Sequence, residues 1–298
     1  MTISLTVLGL ALVAVALVDM FQTLFHPASH GTMSDWLSKS VWRTLRKFAR
    51  PRGTLLTLAG PTAMFLIIVS WAGLIVLGCA IVYDQRLSSF RTVAGLASPQ
   101  SPSFFEAWNI SLGSLISLAG ESVPPNRWLR LLMSIEALIG LGLVTASVSW
   151  LLSVYPIVES RRTLARFANS LKSAAERDDW QTKWLAESSA AYILVSLTRD
   201  LAAVRTETAQ FPIAYYFSVR HPESELAVAL PFIDDLASQA GNTIYSGTTR
   251  VAGKILGMQV SDYLKLLAVT FLRMSAESQP EEILASYMED HFQIKANP

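Results

Sequence analysis

The chain has 298 residues, of which 51% are hydrophobic and only 16% charged, and its formal net charge is +1. Ordinary soluble domains carry about 25% charged residues, so this composition, with its apolar residues gathered in blocks, is that of a membrane protein with a soluble tail. A mildly acidic tail beyond residue 156 gives no support to a nucleic-acid partner. The single cysteine, Cys79, sits inside an apolar run and excludes a disulfide framework.

Residues 1–26 read as the first transmembrane helix. Positions 3–25 are uncharged until Asp19, and the stretch lacks the basic start and small-residue cleavage site of a signal peptide. Asp19 lies near the end of the span, where an acid is cheaper than at the centre, and reads as structural. Pro27 ends the helix at His26. The four histidines, His26, His30, His221 and His291, are scattered and suggest no metal site.

Residues 33–50 read as a basic amphipathic helix. Met33, Trp36, Leu37, Val41, Leu45 and Phe48 fall on one arc, and Lys39, Arg43, Arg46, Lys47 and Arg50 on the opposite one. Such a helix lies in the interface of a bilayer with anionic lipids; the alternative is a soluble helix packed on the tail. Basic residues in a short loop stay cytoplasmic, which puts the N-terminus outside and the C-terminal domain inside the cell's inner (plasma) membrane. Residues 54–83 carry no charge and return the chain outward, with a polar linker over 84–102.

Ser103 and Glu106 have the spacing of a capping box, in which the serine accepts from the backbone and the glutamate reaches back. The helix they open, 104–117, is too short to cross a bilayer, and a filter-like loop follows over 118–125. Non-helical backbone at membrane depth is tolerated only where it is buried in protein or lines water. The inner helix, 128–155, is long enough to span. Gly140 and Gly142 near its middle are a candidate gating hinge, or else small residues that let helices approach closely. Glu136 is an intramembrane acid, with either a functional role or a hydrogen-bonding one behind the short helix.

The layout Phe104-Phe105, Ala107, Ser111-Leu112, a turn, Glu121, Pro124 and a long apolar helix resembles the re-entrant loop and inner helix of the potassium-channel pore. The resemblance covers residues 54–155 and implies a homotetramer around a shared axis, with the C-terminal ends of four short helices favouring a cation. The implied fold is an all-α membrane protein: a potassium-channel-like pore domain over 54–158, an added N-terminal transmembrane helix, and a helical cytosolic domain over 159–298. The constriction would be formed by Ser117, Leu118, Ala119, Gly120, Glu121 and Ser122, with K+ or another monovalent cation as transported ion and no resident cofactor or metal.

The family filter uses two glycines so that successive carbonyls face the axis. An ungapped match puts Ala119 and Glu121 at the glycine positions. A register one residue shorter keeps Glu121 as the family's acid, Pro124 as its proline and Gly120 as the second glycine, and is the better match. Neither register keeps both glycines, so weak or altered K+ selectivity is expected. Glu121 either forms a ring of acids or pairs with Arg127. The competing expectation is a non-conducting relative that acts as a membrane sensor or scaffold.

Beyond residue 159 apolar residues recur at helical spacing over 162–175, 190–208, 226–239 and 262–276, punctuated by Pro212, Pro222, Pro231 and Pro280. The adjacent acids Asp178-Asp179, Asp234-Asp235 and Glu281-Glu282 read as solvated surface. No phosphate loop, nucleophile elbow or HExxH pattern is present, so no enzymatic activity is expected.

Overall fold

The computed structural model describes residues 2–25, 31–48, 55–92, 103–118, 122–124, 126–177, 184–187 and 189–292. The described chain is helical apart from one pair of two-residue strands. Its helices are α1 (Thr2–Phe25), α2 (Thr32–Phe48), α3 (Ala59–Asp84), α4 (Phe104–Leu115), α5 (Arg127–Arg177), α6 (Ala190–Gln210), α7 (Leu226–Ala240), α8 (Gly247–Leu267) and α9 (Pro280–Phe292). The chain divides into two compact units, Met1–Ser40 with Thr62–Leu152, and Val41–Pro61 with Ser153–Pro298.

In the first unit, α1 and α3 cross where Gly9 faces Gly78. A Cβ on either glycine would overlap the other's carbonyl oxygen, so only glycine at both positions permits this approach. Ala16, one heptad after Gly9, is fully buried against Ile75 and Val76 of α3. α4 packs Ala107, Ser111, Ser114 and Leu115 inward, the i, i+4, i+7 spacing of one helix face. Cys79, Ala80, Tyr83, Leu87, Ala107 and Leu129 form one core cluster that joins α3, α4 and α5. The outward faces of α1, α3 and α5 remain lined with exposed apolar side chains such as Val7, Phe21, Phe65, Leu138 and Leu152. Such faces need no cover in hydrocarbon.

The linker expected over 84–102 contains some regular structure: Arg91 and Thr92 pair antiparallel with Val123 and Ser122. Residues 93–102 lie outside the described residues. The inner helix does not end at Tyr155. α5 continues through Pro156 to Arg177, 51 residues in all, and takes in the separate helix expected over 162–175. A proline inside a helix removes one backbone bond and costs about 3 kcal/mol. Buried Val154, Ile157, Val158 and Arg161 on either side of it supply compensating contacts.

In the second unit, α8 is hemmed in by α6, α7 and α9. Gly253 of α8 meets the backbone at Ala240 and Gly241 so closely that a Cβ would overlap it. The helix expected over 262–276 begins instead at Gly247 and gives way to a π-turn, Ala268–Leu272, which Arg273 ends with φ 59°. α9 was not anticipated. Pro280 starts it rather than marking a break, because a first-turn proline has no intrahelical bond to lose. Pro231, also read as punctuation, lies inside α7.

Candidate functional site

The short helix α4 begins at Ser103, whose backbone is extended as a cap requires, but its side chain makes no capping hydrogen bond. The carbonyl of Ser103 instead accepts from the amides of Glu106 (2.9 Å) and Ala107 (3.3 Å). The capping box is therefore absent, and the start of the helix is held by its backbone. α4 closes at Leu115 rather than Ser117, in a Schellman arrangement. The amide of Leu118 donates to the carbonyl of Gly113 (2.9 Å) and that of Ser117 to Ser114 (3.0 Å), with Ser117 left-handed at φ 58°. Twelve residues rise about 18 Å, well short of a bilayer's hydrocarbon core of about 30 Å.

Of the predicted constriction, Ser117 and Leu118 are exposed at this reversal, and Ser122 belongs to the small strand pair. Ala119, Gly120 and Glu121 lie outside the described residues. Pro124 is buried, and its carbonyl accepts from Arg130 Nε (2.8 Å). Arg127, the alternative partner for Glu121, lies over the Trp128 ring, 5.4 Å from its centroid.

Behind α4 stands Glu136, 1% exposed. Its carboxylate accepts from Tyr83 Oη of α3 (2.7 Å) and from the Ser111 hydroxyl of α4. Ser111 also lies 3.0 Å from the Val76 carbonyl, while Ser114 donates to the Met133 carbonyl (2.9 Å). One acid thus ties three helices together in an apolar setting, where an unpaired carboxylate would be prohibitive. Of the two roles open to Glu136, the geometry shows the hydrogen-bonding one. Tyr83 and Ser111 were missed as its partners. Ser111 was legible in principle, since Ala107, Ser111 and Ser114 form a small, polar stripe on an otherwise apolar helix.

Gly140 has a packing role. A Cβ there would overlap the Leu115 carbonyl at the end of α4, whereas one on Gly142 would meet nothing within 4 Å. The two candidate hinge glycines therefore sit in different surroundings on an unbroken helix.

Asp19, 4% exposed, receives the amide of Met33 (2.9 Å), the hydroxyl of Ser34 (2.5 Å) and Trp71 Nε1 (2.9 Å). An acid from α1 thereby caps the first turn of α2, where the helix dipole favours negative charge. Gly31 passes so close to this carboxylate that a side chain would collide with it. The structural reading of Asp19 agrees with this geometry. α2 buries Ser34, Ser38 and Trp42 rather than its apolar arc. Trp36 and Phe48 are exposed, and so are Arg43 and Lys47. The aromatic and basic side chains share the outward face because the packed face was recruited by hydrogen bonds.

The second unit contains a buried polar node. Arg161 of α5 donates to the Ala214 carbonyl and lies 3.4 Å from both Glu225 Oε1 and Tyr287 Oη. Glu225 also accepts from the Val219 amide (3.1 Å). Burial pushes the Glu225 carboxyl up, and the Arg161 charge pulls it back. His291 Nδ1 is 3.5 Å from Glu225 Oε1, and burial, with the charges of Arg161 and Arg46, holds this imidazole well below its usual value. Asp290 receives Trp42 Nε1 (3.0 Å), Tyr215 Oη (2.6 Å) and Arg46. Beside the 221–224 turn, a groove of about 920 Å³ is lined by Arg166, Asn169, Lys172, Glu176, His221 and Glu223, a mixture of charges that selects no ligand class. Asp234 is half-buried, and burial with the charges of Glu281 and Asp235 pushes its carboxyl up, whereas Asp235, Glu281 and Glu282 are exposed. Among the described residues no group of His, Cys, Asp or Glu is placed to hold a metal ion.

Among the described residues four helical stretches are long and apolar enough to cross a membrane: Ile3–Leu24, Leu56–Asp84, Arg127–Glu176 and Gly247–Leu272. The chain is 24% identical over 281 residues to the uncharacterized membrane protein YdjJ of Bacillus subtilis (strain 168), a match covering 92% of this chain and 81% of that protein. The chain is a membrane protein. No family model matches it, and no solved structure matches it significantly.

Proposed function

We propose that this protein is a subunit of a homotetrameric, potassium-channel-like pore that passes cations with weak or altered K+ selectivity. The observation that supports this most is α4: a helix of 12 residues, too short to span, held by Glu136 against α3 and α5 and reversed at Ser117. In this reading residues 117–122 form the constriction, Glu121 contributes a ring of carboxylates, and Gly142 is the freer of the two hinge glycines. The N-terminus is outside, α2 rests its Trp36, Arg43, Lys47 and Phe48 face on the anionic lipids of the inner leaflet, and the second unit is cytoplasmic.

That neither register keeps both filter glycines favours the second reading, a channel relative that does not conduct and serves as a sensor or scaffold. Ion flux into vesicles containing the purified protein separates the two. The pore reading expects cation flux that Glu121→Gln alters; the scaffold reading expects none.

A further inference from the structure

Among the described residues four helical stretches are apolar enough to span, yet the proposed channel fold, with its added N-terminal helix, uses three. The fourth, α8 with its π-turn, carries Arg250, Lys254, Asp262 and Lys265. Each such residue at the centre of a bilayer costs about 2.5–3.5 kcal/mol. Its inner face is already committed. Ala252, Leu256, Val260, Tyr263, Leu264 and Leu267 are buried, while Asp262, on the outer face, pairs with Arg205 of α6 at 2.8 Å. The outer face is unusual for one surrounded by water. Val251, Ile255, Met258 and Val269 are exposed, Met258 to 71%. At 100° per residue Val251, Met258 and Val269 lie within about 20° of one line, with Ile255 and the half-exposed Asp262 on one flank and Lys254 and Lys265 on the other. Neither lysine has an ion-pair partner among the described residues.

We infer that α8 lies on an anionic bilayer surface, with Val251, Ile255, Met258 and Val269 at the headgroup–acyl boundary and Lys254 and Lys265 on lipid phosphates. An apolar stripe edged by lysines is the pattern of a helix that lies on a membrane rather than across it. A second copy of the chain fits less well. Two such faces meeting about a two-fold axis would bring four lysines together against two aspartates that each already pair with an Arg205. The inference does not depend on conduction, since a non-conducting membrane protein would present the same face.

The test uses the full-length protein in nanodiscs, made either with phosphatidylglycerol or with phosphatidylcholine alone. With Cys79→Ala as background, an environment-sensitive fluorophore on Met258→Cys should shift to the blue in phosphatidylglycerol, and one on exposed Thr206→Cys should not. Lys254→Gln with Lys265→Gln should weaken the lipid dependence, by roughly five-fold per charge removed. Hydrogen exchange on the unmodified protein provides a second readout, with slower exchange over 251–258 in the anionic discs. A label that reports water in both lipids, with unchanged exchange, would overturn the inference. So would a label shielded equally in both lipids and in detergent while self-quenching, because that pattern marks contact between copies.

Discussion

Gly140 and Gly142 are two residues apart, yet they call for opposite outcomes. Alanine at 140 must displace the Leu115 carbonyl, and so the end of α4; overpacking of this kind costs about 1–3 kcal/mol. Alanine at 142 meets open space and should gain up to about 1 kcal/mol from helix propensity. Thermal unfolding of the two variants in the same detergent checks the contrast, and equal losses would mean that helix flexibility, not the Leu115 contact, sets the glycine requirement. Glu136 is a similar case. Glu136→Ala strands the Tyr83 hydroxyl, since Ser111 still has the Val76 carbonyl within reach. The expected loss is about 1–3 kcal/mol. Adding Tyr83→Phe should recover most of it, which a double-mutant cycle on unfolding temperatures would measure. Sequence alone made Glu136 conspicuous but could not choose its role, because the choice depends on which residues of α3 and α4 come to face it.

At the scale of elements, the sequence was most legible where one physical cause acts alone. Apolar runs marked α1, α3 and the membrane part of α5, since hydrocarbon demands length and little else. It misled where tertiary contacts outweigh local preference. The inner helix was expected to end at residue 155, but packing on both sides of Pro156 carries α5 through it. Pro280 reads as a stop, and it opens α9. The two arcs of α2 overlap: at 100° per residue Trp36 falls between Arg43 and Lys47, and all three are exposed. Ser34 bonds to Asp19 within the first unit and Trp42 to Asp290 within the second, so hydrogen-bonding side chains rather than the apolar arc are buried. α9 buries the imidazole of His291. The folded imidazole binds its proton less readily than the unfolded one, so its contribution is complete above the unfolded value of about 6.5. Below that pH stability should fall by up to about 1.4 kcal/mol per pH unit. Glu225, pushed up by burial, acts in the opposite sense at lower pH, so the informative quantity is a difference. Unfolding temperatures from pH 8 to pH 5 should show a steeper acid loss for the wild type than for His291→Phe. Parallel curves would mean that the imidazole does not titrate on unfolding.

For the molecule as a whole, the membrane assignment follows from the composition, the spans and the relative in Bacillus subtilis. The function was less legible. The reversal after α4 can be read from its Gly, Ser and Pro content, but the residues that would define selectivity, Ala119, Gly120 and Glu121, depart from the pattern they resemble. Four-fold assembly is a property of several chains, which no single chain's pattern encodes directly. The measurement that bears most directly on the proposal is flux of potassium, sodium and calcium into vesicles reconstituted with the folded protein. The pore reading predicts cation uptake with little discrimination between potassium and sodium, and a clear change in that ratio in Glu121→Gln. Vesicles that hold folded protein and remain tight to all three ions would contradict it.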